Sequence, residues 1–321
     1  MKPLAVLLLC SGMALAQRPV HTYSIVAHDP STGELGVAVQ SHWFSVGPLV
    51  CWAEAGVGAI ATQSFVNPAY GQQGLALLAK GHSAKEALEM LLRQDAGRDV
   101  RQVAIVDASG AAMAWTGSKC IDAAGHYCEA DFCVQANLMV NDSVWPNMAA
   151  AFKAAKGPLA ERMLAALQAA QDAGGDLRGQ QSAALLVVAG KPSGALWKDR
   201  LVDLRVDDHP DPLAELRRLL ILQRAYEYMN RGDVALEHGN MAEALSAYSQ
   251  AHQLAPEKTE MLFWTAVALV NNDSVEAALP LFRQAFATSL SWALLLERLH
   301  RKGHLTCSDQ MLQHLLRLQK P

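Results

Sequence analysis

No apolar run in this 321-residue chain reaches the roughly 20 residues that a membrane-spanning helix requires, which excludes a helical integral membrane protein. Blocks of lysine and arginine are missing as well. Together with a formal net charge of −4, this excludes the polyelectrolyte chemistry of nucleic-acid binding. No glycine-rich phosphate loop, dinucleotide fingerprint or CxxC pair is present, so no metal and no cofactor is expected. Scarcity of charge, 18% against 51% hydrophobic residues, excludes disorder and supplies apolar material for two ordinary domains.

What is there begins with an export signal. Lys2, the apolar run Leu4 to Leu9 and the small-residue site Ala14-Leu15-Ala16 mark residues 1–16 for removal, leave Gln17 as the mature start and imply a periplasmic or secreted protein. Five cysteines then remain: Cys51, Cys120, Cys128, Cys133 and Cys307. The odd count leaves at least one thiol free. Cys120, Cys128 and Cys133 lie within a short stretch around His126, and the export signal favours a local disulfide there over zinc, with the pairing open.

The first domain is organised around Thr22 to Ser41. Two apolar runs, Ser24 to His28 and Leu35 to Val39, flank Asp29-Pro30-Ser31-Thr32-Gly33, which supplies the proline and glycine of a reversal. This is a hairpin whose strands are apolar on both faces, as in a sheet held between other layers. Val50 to Ser64 adds one or two strands, in which Gly56 and Gly58 mark a close backbone approach. Helices follow at Gly74 to Ala79 and Ser83 to Leu92, the second opened by the capping box Ser83-x-x-Glu86. Val103 to Val106 with Ala112 to Thr116 forms another hairpin, Phe132 to Val140 a strand, and Trp145 to Ala155 and Pro158 to Ala170 two more helices. Ala183 to Val188 reads as a buried strand, whereas Val202, Leu204 and Val206 alternate with Asp203 and Arg205 as an edge strand does. Helices segregated between hairpins indicate a layered α+β domain over residues 17–206.

Asp207 to Pro212, polar with two prolines, reads as a linker. Residues 213–321 are helical throughout. Ala244, Tyr248 and Ala251 recur 34 positions later as Ala278, Phe282 and Ala285, with Gly239 and Pro256 where a tetratricopeptide unit turns and ends. The expectation is an all-α tetratricopeptide-like domain, with Leu213 to Asn230 and Leu294 to Leu318 as packing helices or caps and a protein as its partner.

The hairpin, the Trp52-Ala-Glu-Ala-Gly-Val-Gly-Ala-Ile-Ala-Thr-Gln run, Asn67-Pro-Ala-Tyr-Gly, and Gly174-Gly-Asp-x-Arg-Gly-x-Gln-Ser-Ala-Ala-Leu-Leu-Val resemble an uncharacterised bacterial family. That family, a domain of unknown function, is placed in the N-terminal-nucleophile hydrolase superfamily, and the resemblance runs from about Thr22 to Val206. It implies a four-layer αββα sandwich. It also implies amide hydrolysis by an N-terminal Thr, Ser or Cys whose own α-amine, with a pKa of roughly 7.7–8.0, takes the hydroxyl proton.

Thr22 and Ser24 are the hydroxyl residues at the start of the first strand and the candidate nucleophiles. Signal cleavage alone leaves Gln17 to His21 ahead of Thr22, whose nitrogen then stays in an amide and is no base. Three readings follow: a second cut between His21 and Thr22, activation by a histidine such as His21, His28 or His42, or a binding pocket without turnover. Candidate substrate contacts are Gln40, Ser41, Glu54, Gln63, Asn67, Asn137 and the group Asp176, Arg178, Gln181 and Ser182. Within that group, Arg178 suits a bidentate grip on a carboxylate, or an internal pair with Asp176. The expected ligand is a small amide or peptide. The alternative is a non-catalytic ligand- or protein-binding module.

Overall fold

In the computed structural model, which describes residues 22–319, the expected hairpin forms as β1 (Thr22–His28) and β2 (Leu35–Ser41), buried along their whole lengths. The export signal and Gln17 to His21 lie outside the described residues. The reversal is held by Asp29, whose carboxylate accepts from the Ser31 N–H and hydroxyl and whose carbonyl accepts from Gly33.

The chain continues through α1 (Gly47–Val50), β3 (Cys51–Glu54), β4 (Gly58–Ser64), α2 (Ala69–Ala79), α3 (Ala84–Gln94), β5 (Arg101–Asp107) and β6 (Ala112–Thr116). It then forms β7 (Gly125–Glu129), β8 (Phe132–Ala136), α4 (Val144–Ala154), α5 (Leu159–Asp172), β9 (Ser182–Val188), α6 (Leu196–Asp199) and β10 (Arg200–Val206). One sheet runs β10-β9-β2-β1-β8-β7 and the other β3-β4-β5-β6. Val26, Val37, Val39, Ala59, Ala61 and Val106 fill the space between them. α2 and α3 cover the outer face of the smaller sheet, with Leu75, Leu78, Leu88 and Leu91 against Ile60, Val103 and Ile105. α4 and α5 cover the larger one, where Phe152 packs on Phe132 and Gln171 accepts from the Tyr23 hydroxyl. Four layers result, helix, sheet, sheet, helix.

Ser83 caps α3 with both halves of the capping box in place. β10 is an edge strand. Gly58 stands where it does because a Cβ there would lie 2.4 Å from Leu78 Cδ1 and 2.7 Å from the Val106 carbonyl oxygen. Two strand assignments are corrected. The strand from Phe132 stops at Ala136, because Leu138 turns the chain with a φ of +56°. β7 goes unseen in the sequence because Gly-His-Tyr-Cys-Glu is a largely exposed edge strand with no buried face to impose an apolar alternation. Cys128 and Cys133, directly opposite in the β7–β8 register, form the local disulfide, and Cys51, Cys120 and Cys307 remain thiols.

The chain divides into two compact units after Arg217, within α7 (Pro212–Glu237). Asp207 to His209 are bonded to the first unit: Ser45 donates to Asp207, and His209 donates to the Gln181 carbonyl. The second unit continues through α8 (Met241–Leu254), α9 (Thr259–Asn271), α10 (Val275–Thr288), α11 (Ser291–Arg301) and α12 (Asp309–Leu316). The recurring residues Ala244, Tyr248, Ala251, Ala278, Phe282 and Ala285 are all buried, and the Phe263 ring meets Phe282 edge to face. Among the described residues no helix is long and apolar enough to cross a membrane.

α3 is fastened to the sheet by Asp95, which accepts from Arg101 Nε at 2.8 Å, from the Gly97 N–H and from the Tyr70 hydroxyl. Burial pushes the Asp95 carboxyl up, but these donors, with the Arg101 charge, outweigh it and hold the carboxyl below its usual value. Asp95→Asn should therefore cost about 1.5–3 kcal/mol at neutral pH in urea titrations. The stabilisation is complete above the unfolded carboxylate value of about 3.9 and is lost as pH falls through the lower folded value, so the variant should show a flatter acid limb. Gly58→Ala should lower the unfolding free energy by about 1–3 kcal/mol, since backbone as well as a leucine stands in the way.

Candidate active site

Side chains alternate along a strand, so every second residue faces the other sheet. Read in one direction, those inward positions are Val26, Ser24, Thr22 on β1 and Val37, Val39, Ser41 on β2. They are Ala59, Ala61, Gln63 on β4 and Val106, Ala104, Gln102 on β5. On β8 they are Cys133 and Gln135, followed by Asn137, and on β9 Leu186, Ala184, Ser182. Strand pairing aligns the changes: Thr22 opposes Ser41, Ser41 opposes Ser182, Ser24 opposes Gln135, and Gln63 opposes Gln102. One end of the inter-sheet core is thus polar, and all eight of these polar residues are fully buried.

Such a cluster is tolerable only when its groups satisfy one another. Gln63 Nε2 donates to the Thr22 carbonyl at 3.0 Å and to Gln102 Oε1 at 2.7 Å, linking the two sheets. Asn137 reaches the same carbonyl through its N–H at 3.1 Å, and its amide donates to Gln102 Oε1 at 2.9 Å. Gln102 Nε2 in turn faces Thr116 Oγ1 and the Gly125 and Ala136 carbonyls at 2.9–3.1 Å. Thr22 Oγ1 donates to Ser41 Oγ at 3.1 Å. The members are amides and hydroxyls, without a charge. Strained backbone frames them, with φ of +67° at Ser64 ending β4 and +56° at Leu138 beyond β8.

Ser24 is committed inside this network. Its hydroxyl donates to Gln63 Oε1 at 2.6 Å and accepts from Gln135 Nε2 at 3.2 Å. His28 lies at the other end of β1, bonded to Asp131, and the His42 N–H donates to Asp176, so neither of these bonds prepares a hydroxyl on β1. His21 lies outside the described residues.

The structure brings Asp176, Arg178, Gln181 and Ser182 to the same end of the sandwich. Arg178 does grip a carboxylate, that of Asp176, through Nε at 3.1 Å and Nη2 at 2.7 Å. Gln181 donates to Asp208, and Ser182 joins the Trp43 carbonyl to the Val46 N–H. The Asn67 side chain accepts from the Ala69 N–H at the start of α2. Glu54 does not join them: it is exposed at the end of β3, in the row of Gly58 and Asp107, the opposite end from Gln63. Residues that sequence reasoning passed over are Gln102, Gln135 and Thr116; the signal for Gln102 was its place at the head of an otherwise apolar strand. On the helix-facing side, burial first, and then the carboxylates of Asp176, Asp172 and Asp211, push the Tyr23 phenol well up, so it is a neutral donor to Gln171. Burial likewise raises the Cys51 and Cys120 thiols, which makes both poor nucleophiles. Among the described residues no three His, Cys, Asp or Glu side chains converge as a metal site.

Residues 22–216, the span containing this entire cluster, match the model of a family of unknown function, DUF1028. The chain belongs to that family. A crystal structure from Silicibacter pomeroyi, itself described with the DUF1028 family model, is 35% identical, with a TM-score of 0.56 over 62% of this chain and 88% of its own. Anbu, the ancestral beta-subunit from Yersinia bercovieri, aligns at 13% identity with a TM-score of 0.33, over 62% of this chain and 93% of its own. No curated protein matches.

Gln102→Leu removes the donor to Thr116 and two carbonyls and the acceptor of Gln63 and Asn137. It should destabilise the protein by about 2–4 kcal/mol in urea unfolding. Gln73→Leu, on the exposed side of α2, should stay within about 0.5 kcal/mol.

Proposed function

We propose that this protein is an exported amide hydrolase of the N-terminal-nucleophile type, in which Thr22 attacks a small amide or peptide. The observation that carries the reading is the position of Thr22. It is the first residue of a central strand, set where the inward positions of six strands become neutral hydrogen-bonding groups. Among the described residues the Ser24 hydroxyl bonds only to neutral amides, and the one imidazole at the cluster's border, His126, bonds to Thr116 on the smaller sheet, whereas an α-amine at Thr22 would be a base that is partly unprotonated near neutral pH.

In this reading a cut between His21 and Thr22 frees that amine. It takes the Oγ1 proton as Oγ1 bonds to the substrate carbonyl carbon, and it returns the proton to the departing amine. Water then hydrolyses the ester left on Thr22. Gln63 and Asn137 hold the Thr22 carbonyl, which fixes the residue, and Ser41 orients its hydroxyl. Ser24 positions Gln63 instead of reacting. Arg178 and Gln181, at the rim, are the nearest candidates for substrate contact, and Asp176 holds Arg178 in place. The Cys128–Cys133 disulfide supports an oxidising, exported setting. The helical unit, tetratricopeptide-like in its 34-residue recurrence, would recruit a protein partner.

The test is the intact mass and N-terminal sequence of the protein recovered from its native host, with labelling by a β-lactone probe. The expected result is a chain beginning at Thr22 and labelled there. Thr22→Ala should lose label and at least about a thousandfold in amide hydrolysis, and Thr22→Ser should keep both. A uniform start at Gln17 without label would overturn the mechanism and favour a pocket that binds without turnover.

A further inference from the structure

β3 closes one side of the four-stranded sheet, and among the described residues no strand pairs with its outer edge. In an antiparallel ladder alternate residues turn their N–H and C=O away from the partner strand. The Cys51 N–H reaches the Gly47 carbonyl outside the ladder, which sets the phase. Ala53, two residues further on, therefore turns its own N–H and C=O toward the open edge.

Two clefts lie along that edge. One, of about 210 Å³, has Trp52 and Ala53 on one side and Arg200, Asp203 and Arg205 on the other. Its neighbour, of about 740 Å³, is bounded by Ala53, Glu54, Val188, Leu196, Trp197 and Arg200. Ala53 and Arg200 line both, so the two clefts are one groove with an outward-facing peptide group at its middle.

The walls differ in chemistry along its length. Arg200 Nη1 stands 2.6 Å and Arg205 Nε 3.5 Å from the carboxylate of Asp203, so two guanidinium groups share a single negative charge. Both remain open to solvent, at 58% and 47% exposure. The second cleft offers apolar surface instead: Leu196 and Trp197 on α6 are 77% and 79% exposed, unusual for residues of that size. Glu54 at its mouth and the buried Asp199 confine the surplus positive charge to the Arg205 end.

We propose that this groove binds an extended peptide as an added strand on β3, with a peptide carboxylate at Arg200 and Arg205 and an apolar side chain against Trp197. Strand addition draws affinity from main-chain hydrogen bonds and selectivity from alternate side chains, and the groove provides for both. The surplus guanidinium selects an acidic peptide over a basic one. The site is independent of Thr22, which lies on β1, three strands in from β10. It stands whether or not the chain hydrolyses amides.

The test uses the full mature chain, panned against a random heptapeptide phage library, with the recovered peptides synthesised and their affinities read by fluorescence anisotropy. Expected are peptides that carry Asp or Glu among alternating apolar residues, lose binding when alternate amides are N-methylated, and bind about tenfold more weakly to Arg205→Glu. Trp197→Ala should weaken them comparably. Ala53→Pro, which removes the outward N–H without breaking a β3–β4 bond, should do the same; if it fails to fold, the two exposed substitutions carry the test. Recovery of no peptide, of peptides without an acidic residue, or of peptides indifferent to Arg205→Glu and Trp197→Ala would overturn the proposal. So would sedimentation showing a dimer that Arg205→Glu dissociates, which would assign the edge to a second copy of the chain.

Discussion

Three glutamine side chains hold the sheets together at the end where Thr22 sits: Gln135 of the larger sheet, which donates to the Ala61 carbonyl, and two from the smaller. Gln63 and Gln102 come from neighbouring strands of the smaller sheet, and between them they reach β1, β8 and the carbonyl that opens β7. Elsewhere the gap is filled by valine and alanine, which bind without direction and would tolerate a small slide of one sheet on the other. Directional bonds to fixed carbonyls would not. The polar end therefore sets the register between the sheets, and the apolar remainder supplies most of the driving force. Dependence on neutral amides also explains why the cluster can be buried: an ion there would need desolvation costing several kcal/mol, whereas the amides of Gln63, Gln102 and Asn137 bond to one another and to carbonyls, and Gln135 leaves only its Oε1 without a partner.

Much of this architecture is legible from residue patterns. Continuous apolar runs at β1 and β2 imply cover on both faces, Ser83 and Glu86 announce α3, and the alternation from Val202 to Val206 announces an edge. In each case the signal is local, and the structure reads it locally. β7 escaped because its exposed, polar side chains owe their conformation to the partner strand. The polar cluster is the instructive case. Each strand carries its own switch, Val26 to Ser24 to Thr22 or Ala59 to Ala61 to Gln63, but a single switch is indistinguishable from a strand end. Only the register between strands turns six unremarkable switches into one site. Glu54 is the mirror case: it stands among apolar residues, and the short β3 ends there and releases it to solvent.

Arg178 shows how little a side chain's capacity says about its use. A guanidinium beside a glycine-rich turn is suited to an incoming carboxylate, and the turn already contains one in Asp176, which also takes the His42 N–H. The pair fixes the rim rather than leaving it free to close on a ligand.

The Cys128–Cys133 bond joins residues that already face each other across two adjacent strands, only five positions apart in sequence. Closing so short a loop removes less freedom from the unfolded chain than a long one would, about 2 kcal/mol by chain entropy. What it governs is the outermost strand of the large sheet. With the bond closed, β7 cannot peel away from β8 or shift by a residue against it. In a reducing compartment the core would persist while that border loosened, so the chemistry of the surroundings sets how firmly the sheet's last strand is held.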